Sequence, residues 1–458
     1  MVSEPDAARE TSAPSLPRRL GLWSAIALVI GIVIGSGIFR SPASVARLVP
    51  DAPLMLGVWV AGGIITLCGA LSFAELAGAL PQTGGIYVFL REAWGRLPAF
   101  LFGWSQLVLI RASALGGIAI VFGEYLLRSC GVDPAVHVAA ARVVAAAAIA
   151  FAAIINIRGV SIGALIVNVS TAAKYAALAV LVAAAFVLGG AHGASAAHLQ
   201  SSHTAVPLGQ LGVALVAALW AYDGFVDVSF AGGEIAAPEK NLPRAIIFGT
   251  LAIVAIYLLV NAAYVYVIPV ETMGHSPLVA ADTMAAIFGR SGVALVSVFV
   301  MISTFSSLNG ITLAAPRIFF AMADDGLFFR KIAAVHPRYR TPHVAIILAS
   351  LLGMALVLSR GFEAVTAIFV LAIWPFYALS VAALYRLRRT RPDLPRPYRV
   401  SGYPIVPAIF ILAVIYFLVN ALVQQTLFTS ITFAAILSGI PVYYISFRGS
   451  RAESPIGG

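Results

Sequence analysis

Long apolar runs dominate this chain and limit what it can fold into. Its 458 residues are 61% hydrophobic and only 10% charged, whereas soluble domains carry about 25% charged residues. About 20 apolar residues in a helix cross a bilayer core of about 30 Å, and lipid admits only helices or closed barrels. Barrel strands are short and alternate in polarity, so the runs predict an all-α integral membrane protein. Twelve transmembrane helices are predicted, near residues 21–47, 54–79, 98–127, 138–156, 161–189, 209–235, 244–269, 292–322, 343–358, 363–385, 404–424 and 427–447.

Positive charge is concentrated in alternate loops. The N-terminal side and every second loop carry most of the basic residues, namely Arg18, Arg19, Arg91, Arg96, Arg158, Lys240, Arg244, Arg330, Lys331, Arg338, Arg340 and six arginines between 386 and 399. Basic loops face the cytoplasm, so both termini are predicted to be cytoplasmic, in a plasma (inner) membrane. The net charge of +10 is therefore interpreted as a topology signal. A lipid-headgroup role for the loop at 386–399 is the lesser alternative, and a nucleic-acid partner is not predicted.

The stretch GIVIGSGIF at residues 31–39 interrupts the first predicted span. Gly35, Ser36 and Gly37 stand near the middle of a segment whose backbone must satisfy its own hydrogen bonds in lipid. Close helix packing is one interpretation, because small residues let membrane helices approach each other. The alternative is an unwound segment that lines a cavity.

The sixth predicted span, LVAALWAYDGFVDVSFAGGE at 215–234, contains a comparable interruption at Ala221, Tyr222, Asp223 and Gly224. Spans one and six correspond to each other if the first ten spans form two halves of five. Gly-interrupted helices at matching positions are typical of inverted-repeat transporters. Free N–H groups at a half-helix attract an anion, and free C=O groups attract a cation. The two interruptions together predict a pocket for an α-amino acid.

Several motifs resemble those of one transporter family. They are GSGIF followed by SP, WAYDGF at 220–225, EIAAPEKNLPRAI at 234–246, PQTGGIYVFLREAWG at 81–95 and LNGITLAAPRIFFAMADDGLF at 308–328. Over nearly the whole chain they resemble amino acid permeases of the amino acid–polyamine–organocation superfamily, and in particular the L-type, light-subunit-like amino acid transporters. The resemblance implies a 5+5 inverted-repeat fold with broken helices one and six and two extra C-terminal helices.

The predicted fold divides the chain into two repeats and flanking segments. These are a cytoplasmic tail at 1–19, the first repeat at 20–190, the inverted second repeat at 205–390, the two extra helices at 400–448 and a cytoplasmic tail at 449–458.

The resemblance also implies which residues bind the substrate. Main-chain N–H groups of Ser36 and Gly37 would hold the amino acid carboxylate, with the Ser36 hydroxyl as a further donor. The ammonium would be held by carbonyl groups around Val33 and Ile34 and by those of Trp220, Ala221 and Asp223. The Trp220 side chain would close over the substrate as a lid. The predicted substrate-binding set is Val33, Ile34, Gly35, Ser36, Gly37, Trp220, Ala221 and Asp223.

Lys174 is the single lysine of an otherwise apolar fifth span. A buried lysine loses its proton more readily than an arginine, so it suits proton coupling or the replacement of a bound sodium ion. In similar permeases a lysine in this span bridges the first interruption to span eight. Ser303, Ser306 and Ser307 are its predicted contacts, with Lys174, Ser306 and Ser307 assigned to coupling or gating. Snorkelling of Lys174 toward the cytoplasm is the alternative.

Other charged residues lie at or near membrane depth. Asp223 has two open interpretations: it binds a cationic group of the substrate, or it caps the half-helix that follows it. Asp227 is interpreted as a helix-surface or network residue. Glu75, Arg40 and Arg111 are interpreted as structural, with Glu75 pairing inside the bundle or with a basic loop.

The predicted function is secondary transport of L-amino acids by alternating access, as an exchanger or a proton-coupled symporter. Polyamines or other organic cations are the alternative substrates; a channel or a membrane-embedded enzyme is not favoured, because no pore ring, catalytic constellation or metal spacing is evident.

No cofactor, metal or catalytic residue is predicted. The predicted partners are the amino acid, the lipid bilayer and, for symport, protons. Cys130 stands where eukaryotic relatives bond a single-span glycoprotein, but the bacterial-looking composition argues against such a partner.

Overall fold

A computed structural model describes residues 20–448, except residues 83, 159, 333, 335 and 340. The description also leaves out the side chains of residues 160–173, 231, 233, 313–317, 320, 321 and 324. Both predicted tails, 1–19 and 449–458, lie outside the described residues. The described part is helical, and its only β-type pairing is a bridge between Leu20 and Ile235.

Seventeen α-helices form the described part of the chain. They are α1 (Leu22–Val33), α2 (Gly37–Leu48), α3 (Ala52–Ala79), α4 (Ile86–Trp94), α5 (Arg96–Ser105), α6 (Arg111–Ser129), α7 (Val138–Arg158), α8 (Val160–Leu188), α9 (Leu208–Tyr222), α10 (Pro238–Val267), α11 (Val270–His275), α12 (Val279–Asp324), α13 (His343–Ser359), α14 (Phe362–Thr390), α15 (Ile405–Gln424), α16 (Thr426–Leu437) and α17 (Gly439–Ser446). A π-helical turn covers Gln106–Ile110, and 3₁₀ helices cover Gly189–His192, Ala196–Leu199 and Asp227–Glu234.

Many of these helices can cross a bilayer. Among the described residues, nine helical stretches are long and apolar enough to do so, and the bent pair α1 and α2 makes a tenth if it counts as one span. The helices α9 and α13 are shorter but also apolar. The helix α12 is interrupted at Gly289, whose φ is 59°.

The predicted interruption of the first span is present. The helix α1 ends at Val33, α2 begins at Gly37, and the two are bent by 45°. We call residues 34–36 the first break. The Ile34 N–H still closes the last turn of α1 on the Ile30 carbonyl at 2.9 Å, and the Ser36 carbonyl accepts the Phe39 N–H at 3.2 Å.

The predicted interruption of the sixth span is also present, but the segment after it differs from expectation. The helix α9 ends at Tyr222, Asp223 is extended (ψ 155°), and Gly224 has a φ of 101°. We call residues 223–226 the second break. A 3₁₀ helix follows instead of an α-helical half, and two consecutive glycines, Gly232 and Gly233, explain why: each is unfavourable in an α-helix by about 1 kcal/mol.

Main-chain and side-chain bonds tie the interrupted segments to their surroundings. The Leu20 N–H donates to the Glu234 carbonyl at 3.1 Å, and the Ala236 N–H donates to the Leu20 carbonyl at 2.9 Å. At the other end of the bundle, Asp51 accepts the Ser201 hydroxyl at 2.6 Å and the Leu54 N–H at 3.1 Å. Burial by itself would raise the pKa of the Asp51 carboxyl. The hydrogen bonds outweigh burial, so the pKa lies below its usual value. The loop before α9 is therefore held to the start of α3 by a carboxylate that is charged at neutral pH.

Glu75 joins α3 to the arginine-rich loop, as predicted for it. Its carboxylate accepts two hydrogen bonds from Arg388, at 2.8 and 2.6 Å, and the Val400 N–H at 2.7 Å. Arg396 lies 3.5 Å away. The Glu75 side chain is only 2% exposed, so this is a nearly buried charge network.

We expect Glu75→Gln to lower the stability of the protein strongly. Removing one partner of a buried ion pair costs about 3–5 kcal/mol, because the remaining charges are left without compensation. The thermal unfolding midpoint of the detergent-purified protein, followed by tryptophan fluorescence, should fall by several degrees. Asp393→Asn, at an exposed position of the same loop, is the matched control and should leave the midpoint in place; equal midpoints for both variants would contradict the role of Glu75.

Candidate functional site

The two breaks lie against each other. A Cβ atom placed on Gly37 would be 2.5 Å from the Cα of Ala221, and one placed on Gly224 would be 2.8 Å from Cγ2 of Ile32. Gly37 therefore meets the backbone of Ala221 directly, whereas Gly224, whose φ of 101° also favours glycine, packs against the side chain of Ile32. The start of α2 therefore faces the end of α9, and the end of α1 faces the second break.

Unpaired donors line the first break. Within the described part of the chain, the N–H groups of Gly35, Ser36 and Gly37 have no hydrogen-bond acceptor. They stand at the N-terminus of α2, where the helix dipole adds a partial positive charge. The Ser36 side chain is buried and makes no capping bond. This arrangement can bind a carboxylate.

Several carbonyl groups around the breaks have no main-chain donor. The Ile34 carbonyl is one, and the Ala221 and Asp223 carbonyls of the second segment are others in the described part. The Trp220 carbonyl was expected to bind the ammonium as well, but it accepts the Asp223 N–H at 3.4 Å. The Val33 carbonyl accepts the Tyr257 hydroxyl at 2.9 Å, which leaves its second lone pair. These oxygens can bind an ammonium group.

Trp220 lies beside the breaks among aromatic side chains. Its ring is perpendicular to Phe369 at 4.8 Å and to Phe362 at 6.4 Å. Gly117 makes room for it, since a Cβ there would lie 2.8 Å from Cζ2 of Trp220. The indole Nε1 is buried and has no hydrogen-bond partner among the described residues. The position is compatible with the predicted lid.

Lys174 points to the first break. Its Nζ donates to the Ser307 hydroxyl at 2.8 Å and to the Gly31 carbonyl at 3.3 Å. The residue is 3% exposed, so the side chain does not snorkel to the surface. Of its three predicted serine contacts only Ser307 is present; the hydroxyls of Ser303 and Ser306 are buried without a partner in the described structure. Lys174 therefore connects α8, the end of α1 and α12.

Asp223 is engaged by a residue that was not predicted. Its Oδ1 accepts the Tyr377 hydroxyl of α14 at 2.8 Å, and the charges of Asp227 and Arg111 act on it. No capping bond from Asp223 to the following 3₁₀ helix is present; the residue at that cap is Val226. The capping interpretation is therefore wrong, because the carboxylate turns toward α14 instead of the backbone that follows.

Tyr257 and Tyr377 are the polar contacts that sequence reasoning missed. Both hydroxyls are buried and bond to a break, to Val33 and to Asp223 respectively. A buried tyrosine hydroxyl usually has a hydrogen-bond partner, so a tyrosine within an apolar span is a usable signal. The sequence does not state which partner it reaches.

The family follows from comparison with known proteins. The model of the amino acid permease family matches residues 20–447. The chain belongs to the amino acid permease family. The family consists of transporters and not enzymes, so this permease is a multi-pass membrane protein whose function is amino acid transport.

Individual relatives agree with this assignment. The permease is 33% identical to the serine/threonine exchanger SteT of Bacillus subtilis, over 95% of this chain and 98% of that one. It is 30% identical to the human b(0,+)-type amino acid transporter 1, over 95% and 89% of the two chains. It is 31% identical to the human cystine/glutamate transporter, over 94% and 85%.

Proposed function

We propose that this permease exchanges L-amino acids across the plasma membrane by alternating access, with the substrate bound between the two breaks. The observation that supports it most is the contact of Gly37 with Ala221. That contact brings unpaired N–H groups and unpaired carbonyls to one place. A zwitterion needs both, so the geometry suits an α-amino acid better than a simple cation or anion.

Each predicted site residue receives a role in this proposal. The N–H groups of Gly35, Ser36 and Gly37 hold the carboxylate. The carbonyls of Val33, Ile34, Ala221 and Asp223 surround the ammonium, Trp220 covers the substrate, and Lys174 with Ser307 couples the first break to α12. Ser306 has no partner in the described structure and is retained only as a secondary gating position.

We also propose the twelve-span, 5+5 inverted-repeat arrangement with both termini in the cytoplasm. Its support is the nine long helical stretches, the bent pair α1 and α2 and the shorter helices α9 and α13. The repeats are assigned to 20–190 and 205–390 and the extra helices to 400–448. The basic loops supply the orientation.

Exchange is distinguished from symport by uptake into proteoliposomes. Labelled L-serine and L-threonine are the first probes, because the similar Bacillus subtilis protein is a serine/threonine exchanger. We expect uptake to require internal unlabelled amino acid. Uptake driven by a pH gradient alone would favour proton symport instead, with Lys174 as its protonatable group. Uptake of none of a full panel of amino acids, by protein that is folded and correctly inserted, would contradict the proposal.

Asp223 supports a second substrate class, the cationic amino acids or polyamines. Its carboxylate lies at the second break and, among the described residues, accepts one hydrogen bond, from Tyr377. We expect Asp223→Gly to weaken competition by L-lysine and L-arginine relative to neutral amino acids by about tenfold, the size of one lost charged contact. Asp393→Asn, which removes an exposed loop carboxylate, is the control and should preserve the competition profile. An unchanged profile in Asp223→Gly would remove this class.

Further partners are limited to the lipid bilayer and, for symport, protons. Cys130 is exposed and is not bonded to Cys68. No single-span glycoprotein partner is proposed for it. Among the described residues no group of three His, Cys, Asp or Glu side chains is arranged to hold a metal ion.

A further inference from the structure

We propose that Arg40 is a positioning residue that keeps the outer side of the site closed: its ion pairs hold the half-helix α2 and the Trp220 lid in place. The pairs must separate before the site opens to the outside. The inference rests on the proposed function for the Trp220 lid and for which side is outside.

Arg40 is a buried charge on α2, the second half of the first span. It lies one turn beyond Gly37 on α2 and is 8% exposed. Its Nε bonds to Oε2 of Glu124 on α6 at 3.2 Å, and its Nη2 lies 3.2 Å from Oε1 of Glu363 on α14. One guanidinium therefore joins three helices at the outer end of the site.

The ion pairs connect physically to the lid. The Arg40 guanidinium lies 5.1 Å from the ring centroid of Phe362, which is within cation–π range. The same Phe362 ring contacts Trp220 edge-on. A movement of α2 that breaks the ion pairs also removes the cation from Phe362, and with it the support on that face of Trp220.

Arg47 provides a matched comparison on the same helix. It also pairs with Oε1 of Glu363 at 3.2 Å, but its side chain is 52% exposed. In the described structure it makes no ion pair with Glu124 and no cation–π contact with Phe362. Exposed ion pairs contribute little, so only Arg40 should control the closed state.

The experiment measures access to a position beside the lid. Thr366 is 4% exposed, and its Cγ2 would lie 3.2 Å from a Cβ placed on Gly117, the residue against which Trp220 packs. In a Cys68→Ser, Cys130→Ser background, Thr366→Cys is labelled from outside with a membrane-impermeant maleimide, in right-side-out vesicles and without substrate. Labelling should be slow while Arg40 is intact.

We expect Arg40→Gln to accelerate this labelling about tenfold or more, the size expected for losing a buried charged bond. Arg47→Gln should stay within about twofold. Arg40→Lys keeps a cation beside Glu124, Glu363 and the Phe362 ring, so it should keep labelling closer to the parent rate than Arg40→Gln does. If Arg40→Gln does not fold, Glu363→Gln replaces it, with acceleration again expected.

Equal labelling rates in folded Arg40→Gln and in the parent, or equal acceleration by Arg47→Gln, would overturn the inference. Acceleration only in inside-out vesicles would support the role of the Arg40 ion pairs in closing the site, but it would overturn the proposed orientation. Because labelling requires no transported substrate, these outcomes are independent of whether amino acid exchange is observed.

Discussion

Gly37→Ala is expected to lower amino acid exchange about tenfold to 100-fold while the protein still reaches the membrane. The added Cβ would lie 2.5 Å from the Cα of Ala221, and a backbone atom cannot rotate away as a side chain can. Overpacking of this kind costs about 1–3 kcal/mol, and each 1.4 kcal/mol is a factor of ten. The measurement is the initial rate of labelled amino acid uptake into proteoliposomes loaded with unlabelled amino acid.

Gly57→Ala is the control for this substitution. Gly57 is an exposed residue of α3, and a Cβ placed there meets no atom within 4 Å. Because alanine is favoured over glycine in a helix, exchange and stability should be kept. If Gly37→Ala also transports at the parent rate, the two breaks do not need their close contact.

Lys174→Ala is expected to reduce exchange about tenfold or more and to abolish any response to a pH gradient, while substrate binding is partly kept. Its ammonium donates to Gly31 and Ser307, and charged hydrogen bonds contribute about 1.5–3 kcal/mol each. Without them the end of α1 is no longer held to α12, although the N–H groups of the first break remain. Binding by scintillation proximity and uptake with an imposed gradient measure the two effects separately.

The neighbouring serines test whether the contact, and not general packing, matters. Ser307→Ala removes the 2.8 Å partner of Lys174 and should lower exchange to an intermediate level. Ser303→Ala, one turn away on α12, removes a hydroxyl that bonds to nothing in the described structure and should change little. Equal effects of the two substitutions, or a pH response retained by Lys174→Ala, would contradict the coupling role.

The interruptions were predictable because their signal is local. Glycine beside a polar residue inside a long apolar run is unfavourable in a continuous helix, and both predicted interruptions overlap the breaks, although Gly37 begins α2 and Ala221 and Tyr222 remain in α9. Glu75 was predictable for a similar reason, since a carboxylate near the end of a span needs a cationic partner and the arginine-rich loop offers several.

The sequence could not predict ion pairs and hydrogen bonds between residues on distant spans. Arg40 meets Glu363 across more than three hundred residues, and Tyr257 reaches Val33 from another helix. Such pairs depend on helix packing, which no local pattern encodes. The capping role considered for Asp223 failed for the same reason: its carboxylate accepts a hydroxyl from a distant helix, that of Tyr377 on α14.

Competition by truncated substrates examines the main-chain site most directly. The labelled probe is the L-amino acid with the fastest exchange, and the competitors are its methyl ester, its decarboxylated amine and its desamino acid. Each competitor lacks either the carboxylate or the ammonium, so each should compete at least about tenfold more weakly than the intact amino acid. A decarboxylated amine or a desamino acid that competes as well as the intact amino acid would contradict recognition of both groups at the breaks.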